Sequence, residues 1–528
     1  MVVVPAFAVT ITVDGSSEHQ VIDGFGTSVM NWMSAEYGNA EARRIYAQDM
    51  GGSIVRGELH PQAITKGPMN LNPTVFGPDI DANAALMDFT GQSRVSITGG
   101  FAQAVYNQRI DEMKVMLSIW TPPHWMKENA QFVEPGPQSY GGYLIRTEAN
   151  RTNFARYVAA WVKGFSETYQ IPVDVLSVQN ELDWAHSPAT WTTSCQYHST
   201  NFPAGSPGYN TYNPAVRAVY NELKANNISL EFAGPEKSHI FENDYNLGGQ
   251  LSYIHDMATD GTMDIMDIFC HHGYALRPGN RAMIKRYWDA VKQHGKRSWQ
   301  TEAGHFPINW SGAMSLARNI QDELVAGDLS GYIAWCFNAG SGNDEYALVL
   351  NTTQKTDKYY AFKHFSRYIR PGAIRLGCSP DDPNGLSVSA YRHHRNGTLT
   401  IVLINAGGGQ NATINLPQDP SGISSFRVFT SREGSRWVES QASVSGGSVN
   451  VAVPGNGFVT LYGEGAVSTR PSERAPGAAT PVQIQKHTSI LQRSPTAHGV
   501  RISVPGRNGS AGLLFDLRGR RGEHYPTL

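Results

Sequence analysis

One pattern recurs eight times between residues 20 and 340: a short hydrophobic run, then a longer stretch with helical spacing. The runs are VIDGFGTSV (21–29), GSIVRGEL (52–59), MKVMLSIW (113–120), VDVLSVQN (173–180), ISLEFAGP (228–235), MDIMDIFCH (263–271), RSWQT (297–301) and GYIAWCF (331–337). Between them, FARYVAAWVKGFSETY (154–169) has apolar residues at helical spacing, NPAVRAVYNELKAN (213–226) opens with a cap and a Pro, and GAMSLARNIQDELVAG (312–327) closes on Gly. Strands that alternate with helices run parallel, because each helix carries the chain back to begin the next strand in the same direction. Eight such units in about 320 residues predict an α/β fold, a (β/α)8 barrel with loop insertions. The stretch 60–100, rich in Pro, Gly, Asn and Asp, reads as a long loop on the strand-end face, a place for substrate contacts.

After residue 370 the pattern changes. LSVSAYRH (386–393), GTLTIVLIN (397–405), ATINLP (412–417), SFRVFTS (425–431), SVNVAVP (448–454) and GFVTLYG (457–463) are short alternating strands divided by Gly, Asn and Pro turns. That is the pattern of an antiparallel sandwich. TITVDG (10–15) reads as one further strand, placed to join the sandwich from the other chain end. The expected divisions are a residual export-signal stub (1–8), a first sandwich strand (9–20), the barrel (21–370), the sandwich (371–465), a linker (466–480) and a tail (481–528). The stub rests on the A-x-A pattern Ala6-Phe7-Ala8 after a small apolar run. The linker carries Pro, Gly, Ser and Ala without hydrophobic periodicity. In the tail, LLFDLRGR resembles part of the C-terminal sorting module of bacterial type IX secretion; a disordered tail is the alternative.

A net charge of −2 makes no electrostatic case for nucleic acid or an anionic membrane. No run of about 18 apolar residues occurs, so no membrane-inserted helix is expected. The aromatic content, with 11 Trp and 23 Tyr, suits either well-filled cores or surfaces on which sugars stack. The four cysteines, Cys195, Cys270, Cys336 and Cys378, show no CxxC and no metal-type spacing. Cys270 and Cys336 lie in strand-like runs and are expected as buried free thiols. A disulfide of Cys195 or Cys378 stays open if the protein is exported.

The chemistry reads best from two glutamates. Glu181 closes VDVLSVQNE (173–181) and Glu302 closes KRSWQTE (296–302). The carboxyl ends of parallel barrel strands are where such folds hold their reactive groups. Two carboxylates roughly 5 Å apart across a barrel mouth are what a retaining cleavage of a glycosidic bond requires. Asn180, directly before Glu181, is placed to hold a sugar 2-hydroxyl in an oxocarbenium-like transition state.

Five motifs, met in order, resemble glycoside hydrolase family 30, in the clan of retaining barrel enzymes. IDGFGTS (22–28) is similar to its first strand, WTPPHWMK (120–127) to its third-strand signature, SVQNELDW (177–184) to its acid/base motif and WQTE (299–302) to its nucleophile strand. YYAFKHFSRYIRPGAIRL (359–376) resembles its junction between barrel and sandwich. The resemblance spans roughly residues 10–465. It implies a barrel with a side-fused sandwich built from both chain ends, Glu181 as acid/base and Glu302 as nucleophile. Arg56, at the end of the second strand, is expected either to hold the nucleophile ionised or to pair inside the barrel. Trp125 stands either against a sugar or in the core. Tyr274 is expected to bring its hydroxyl to Glu302, and Trp335 to floor the sugar site. His271 and His272 invite a metal reading, but no acidic third ligand follows at metal spacing. His272 is therefore expected as a hydrogen-bonded residue of the site, and neither metal nor cofactor is called for.

The expected reaction is double displacement: Glu181 protonates the leaving oxygen, Glu302 attacks the anomeric carbon, and water then releases the sugar. SVQNELDW with the following Trp191 and Cys195, and GLSVSAYRHHRNGTLTIVLIN (385–405), look most like the xylanase branch. NAGSGNDEYALV (338–349) lacks the basic and aromatic residues that hold a glucuronic acid branch, and Leu182 stands where Pro is usual. The expectation is an endo-1,4-β-xylanase acting as a monomer on xylan, secreted or at a bacterial cell surface. The alternatives are a β-1,6-glucanase or β-1,6-galactanase of the same family and a noncatalytic carbohydrate-binding relative.

Overall fold

The computed structural model describes residues 8–467, apart from 31–35, 65–73, 92, 129–130, 134–137, 183–194, 201–203, 205–208, 239–249, 275–278, 340–344 and 352, together with 494–496, 499–503 and 512–515. The signal stub, nearly all of the linker and most of the tail lie outside the described residues, as does Trp191.

Eight parallel strands close into a barrel. In chain order they are Gly24–Ser28, Ile54–Leu59, Lys114–Ile119, Val175–Ser177, Glu231–Ala233, Met266–His272, Arg297–Glu302 and Gly331–Ala334. Each pairs with its sequence neighbour, and the eighth returns to pair with the first. Strand alternation sorts the side chains. Ile54, Met116, Val175, Ala233, Ile268, Cys270, Trp299 and Ile333 fill the barrel interior. Val55, Val115, Leu117, Leu176, Phe232, Phe269 and Tyr332 belong instead to the core between strands and helices. Burying a side chain of this size stabilises the fold by roughly 1.5–3 kcal/mol.

The helices follow the same logic. Glu148–Tyr169 is capped by Thr147, whose hydroxyl accepts from the Asn150 N–H, and ends at Gln170 in the left-handed region. Its buried face, Phe154, Tyr157, Val158, Trp161, Val162, Phe165 and Tyr169, recurs at three- and four-residue steps. The stretch 60–100 is not one long loop. Ile80–Ala84 is a short helix capped by Asp79, and Ser93–Asn107 is a full helix. Its Gly99-Gly100 pair reads as a break, but a Cβ at Gly99 would fall 2.1 Å from the Tyr169 ring. The glycine is there for close helix packing, not for a turn.

At the amino-terminal end of the barrel, Asp23, Lys114, Glu231 and Arg297 form a polar ring. Arg297 Nη1 donates to Asp23 Oδ1 (2.7 Å) and Oδ2 (2.8 Å), and the Trp299 indole N–H donates to Asp23 Oδ2 (2.8 Å). Arg297 and Lys114 each reach a different oxygen of Glu231, and Lys114 stands 3.5 Å from Asp23. The two cations outweigh burial and hold Asp23 below its ordinary pKa.

The second sheet has nine strands and also closes on itself. The first strand, Ala8–Val21, pairs antiparallel with Ile374–Ser379 and parallel with Gln410–Asn415, so the sheet is mixed rather than wholly antiparallel. Its remaining strands are Leu386–His393, Thr398–Asn405, Ser425–Arg432, Ser435–Ser445, Ser448–Val453 and Gly457–Glu464. Ile11, Val13, Leu376, Val388, Ile401, Ile414, Phe426 and Leu461 share its core. Among the described residues after 480, which belong to a separate unit, Ser494–Thr496, Gly499–Ser503 and Gly512–Phe515 pair antiparallel. None of the four cysteines is joined in a disulfide, and Cys195 is buried.

Candidate active site

The site lies at the carboxyl ends of the barrel strands. Glu302 is the last residue of the seventh strand. Glu181 stands four residues beyond the fourth strand, at φ +41°. A non-glycine residue in this region is uncommon and points to a constrained turn. Asn180 fixes the approach to that turn: its N–H donates to the Ile119 carbonyl of the third strand (2.8 Å), and it bridges to Glu236. Carboxylate oxygens of Glu181 and Glu302 come within 4.8 Å of one another. The Glu302 side chain is 6% exposed and that of Glu181 16%, so Glu181 has the freer face toward solvent.

Glu302 is held from both sides. Arg56 Nη1 donates to Oε2 (2.9 Å), and the Tyr274 hydroxyl donates to Oε1 (2.5 Å). Burial raises the Glu302 pKa, against His272 and Arg56, which pull it down. Arg56 itself is fully buried beneath the Trp120 ring, 4.6 Å from its centroid. It also donates to Ser28 (3.1 Å), Ser118 (3.2 Å), Asn180 Oδ1 (2.6 Å) and Glu236 (3.2 Å). Arg56 thus reaches Glu302 and also pairs with Glu236 inside the barrel.

His272, the last residue of the sixth strand, stands among three carboxylates. Nδ1 lies 3.0 Å from Glu181 Oε1, and Nε2 lies 3.8 Å from Glu302 and 3.9 Å from Glu236. Burial alone would depress an imidazole, but Glu302, Glu181 and Glu236 together raise His272 to about 10. These carboxylates favour the charged ring, in which the Nδ1–H donates to Glu181. Glu181, His272 and Glu302 also have the spacing of a metal cluster.

Around this core the mouth is aromatic. Trp335 and Trp120 stack at 6.3 Å and pack with Met30, Cys336, Ala339 and Ala347. Trp125 is half-buried on the turn after the third strand, its ring edge-on to His124, and part of it packs on the barrel core. Tyr346, in the eighth-strand loop, supplies a further aromatic group. Its hydroxyl lies 2.5 Å from His305 Nε2, and His305 Nδ1 lies 3.4 Å from Glu345. The middle of that loop, 340–344, is outside the described residues.

Sequence reading missed Trp120, Tyr346, His305 and Glu236 as members of the site. Trp120 and His305 stood in plain view, beside quoted motifs. Glu236, in PEKS, looks like a solvated charge until burial is known.

No protein-family model matches the chain. Among curated proteins it is 24% identical over 357 residues to the glucuronoxylanase XynC of Bacillus subtilis strain 168, covering 65% of this chain and 70% of that one. It is 22% identical over 360 residues to an endo-1,6-β-D-glucanase of Neurospora crassa, covering 64% and 70%. Among solved structures, the catalytic domain of the GH30 xylanase C from Talaromyces cellulolyticus superposes with a TM-score of 0.65 at 20% identity, over 86% of this chain and 99% of that one. This last likeness is one of fold.

Proposed function

We propose that this chain, which has the fold of the family 30 glycoside hydrolases, is a retaining, endo-acting β-glycanase whose first substrate is the xylan backbone. The observation that carries the reading is the carboxylate pair, Glu181 and Glu302, with oxygens within 4.8 Å of one another at two strand ends. That separation suits direct attack by one carboxylate; an inverting pair must stand farther apart to admit a water.

Arg56 and Tyr274 both donate to Glu302, which supports reading it as the nucleophile. Donors aimed at a carboxylate stabilise its ionised form and orient the attacking oxygen. Glu181, more open to solvent and fed by the His272 Nδ1–H on one oxygen, keeps its other oxygen for the glycosidic bond. It gives its proton to the leaving group and takes one from water in the second step. Asn180, held by Arg56, supports a contact to the reacting sugar, and the Trp120–Trp335 stack supports an apolar floor beneath it.

Xylan is favoured because a glucuronoxylanase and a xylanase stand among the similar proteins. The fungal endo-1,6-β-glucanase supports the second reading, a β-1,6-glucanase. Half-exposed Glu345, beside His305 and Tyr346, sets an acidic group at the mouth and disfavours strict dependence on a glucuronate branch. Export is proposed with the polysaccharide substrate; among the described residues no helix is long and apolar enough to cross a membrane.

The test is product profiling by wild type and Glu302→Gln on xylan, glucuronoxylan, arabinoxylan, β-1,6-glucan and β-1,6-galactan, with the anomer of the first product read by NMR. Retained configuration on one polymer and loss of turnover in the variant are expected. Binding without turnover by the wild type would instead favour a carbohydrate-binding protein.

A further inference from the structure

Beneath the catalytic pair lies a third carboxylate that double displacement does not consume. Glu236 follows the fifth strand and is fully buried. Its Oε1 stands 3.1 Å from Nη2 and 3.2 Å from Nε of Arg56, and 3.9 Å from Nε2 of His272. The groups that face it come from every side: Arg56 from the second strand, Ser177 from the fourth, Tyr212 from the helix Tyr212–Ala225, and Cys270 and His272 from the sixth. Lys237 is its buried chain neighbour. Glu302 lies one contact farther, against the same Arg56 and His272, and Tyr274 lies against His272 and Glu302. Burial alone would neutralise such a carboxyl, but Arg56 and His272 outweigh it and hold Glu236 at about 2.

Two basic side chains, Arg56 and His272, thus stand against two carboxyl groups, Glu236 and Glu302, with Glu181 against His272 at the mouth. Without Glu236, Arg56 and His272 lose one of the carboxyl groups that balance them. An uncompensated buried positive charge is costly and drives proton loss from the groups around it. His272 touches Glu181 directly, at 3.0 Å, so any such change reaches the proton donor.

We infer that Glu236 is a positioning residue that, through Arg56 and His272, sets the number of protons held by the catalytic pair. This rests on reading Glu181 as acid/base and Glu302 as nucleophile. Glu302, His272 and Tyr274 stand in mutual contact around those protons.

The experiment compares wild type, Glu236→Gln and Glu236→Asp. It measures kcat/KM against pH on the β-glycan that the wild type hydrolyses, and the titration of the His272 ring by nitrogen-15 NMR. In Glu236→Gln the alkaline limb should move to lower pH by about one unit or more, and the His272 ring should lose its proton at lower pH. Glu236→Asp keeps the charge and should return both toward their wild-type positions, even with a lower kcat. A folded Glu236→Gln protein whose rate falls equally at all pH values, with His272 titrating as before, would overturn the assignment. Should that variant not fold, the wild-type ring decides: imidazolium at about pH 8 supports the role, a neutral ring sinks it. If no glycan is hydrolysed, the glycanase reading fails, while the His272 titration still judges Glu236.

Discussion

An arginine offers five N–H donors in one rigid plane, and Arg56 uses them to tie together groups from five places in the barrel. Ser28, Ser118, Asn180, Glu236 and Glu302 all accept from it. A lysine has the charge but not the fork, and could not hold these partners in one geometry. Tyr274 is the second support of Glu302, and a cleaner one to remove, because Tyr274→Phe deletes one oxygen and no charge. A hydrogen bond to an ionised group contributes about 1.5–3 kcal/mol, so kcat/KM on a soluble oligosaccharide should fall roughly 10- to 100-fold. Unchanged kinetics would mean that the 2.5 Å contact does not bear on the reaction. The residues legible in the sequence share one property. Glu181 and Glu302 lie at or near the carboxyl ends of hydrophobic runs, and Arg56 is the one charge amid the apolar start of Ile54–Leu59, third of its six residues, so the strands themselves announce their places. Glu236 follows such a run too, but a Pro before it and a Lys after it give the look of a solvated turn. Only burial distinguishes it, and burial is a tertiary property.

At the scale of elements, eight strands were readable because a barrel strand is buried on both faces and shows as an unbroken apolar run. Elements that lack this contrast were not. Ser435–Ser445 is mostly exposed along its length, so its sequence offers no alternation to detect. Ser93–Asn107 carries two glycines and several hydroxyl residues, which lower helix propensity, yet tertiary packing against Tyr169 selects the helix. The ring at the amino-terminal end was invisible for another reason: Asp23, Lys114, Glu231 and Arg297 come from four different strand starts, far apart in the chain. This end of a barrel serves stability, whereas the other carries chemistry. Arg297→Met should therefore lower the unfolding free energy by about 3 kcal/mol, since it leaves two largely buried carboxylates with Lys114 as the one cation they share. Urea unfolding at neutral pH checks the loss. Activity measured well below the midpoint should stay near the wild-type value, because the ring does not touch the catalytic pair.

At the scale of the molecule, barrel and sandwich are joined by buried polar contacts as well as by apolar ones. The Trp310 indole N–H donates to the Asn456 carbonyl (2.9 Å), and its ring packs on Phe458. Ser389 of the sandwich donates to Gln321 of a barrel helix (2.9 Å). His364, on the helix Asp357–Ser366, places Nδ1 2.8 Å from Thr460 Oγ1 and Nε2 2.8 Å from Ser431 Oγ, both on sandwich strands. Burial, aided by Lys363, lowers this imidazole from 6.5 to about 3, so the junction holds it neutral. The sign follows from proton counting. Between about 6.5 and about 3 the unfolded chain binds a proton at this histidine and the folded protein does not. The stability that His364 contributes is therefore complete above the upper value and is lost as the pH falls through the window. Replacing it with Gln, which can still bond both hydroxyls but does not titrate, should make Tm less sensitive to acid. The measurement is Tm for wild type and His364→Gln from about pH 7 down to pH 4, where the two curves should converge or cross as acid erodes the wild type. Parallel curves would show that the junction does not bear this part of the acid sensitivity. Because the junction helix packs on the barrel and reaches the sandwich at once, the expected loss is a single transition of both, not a separate melting of the sandwich.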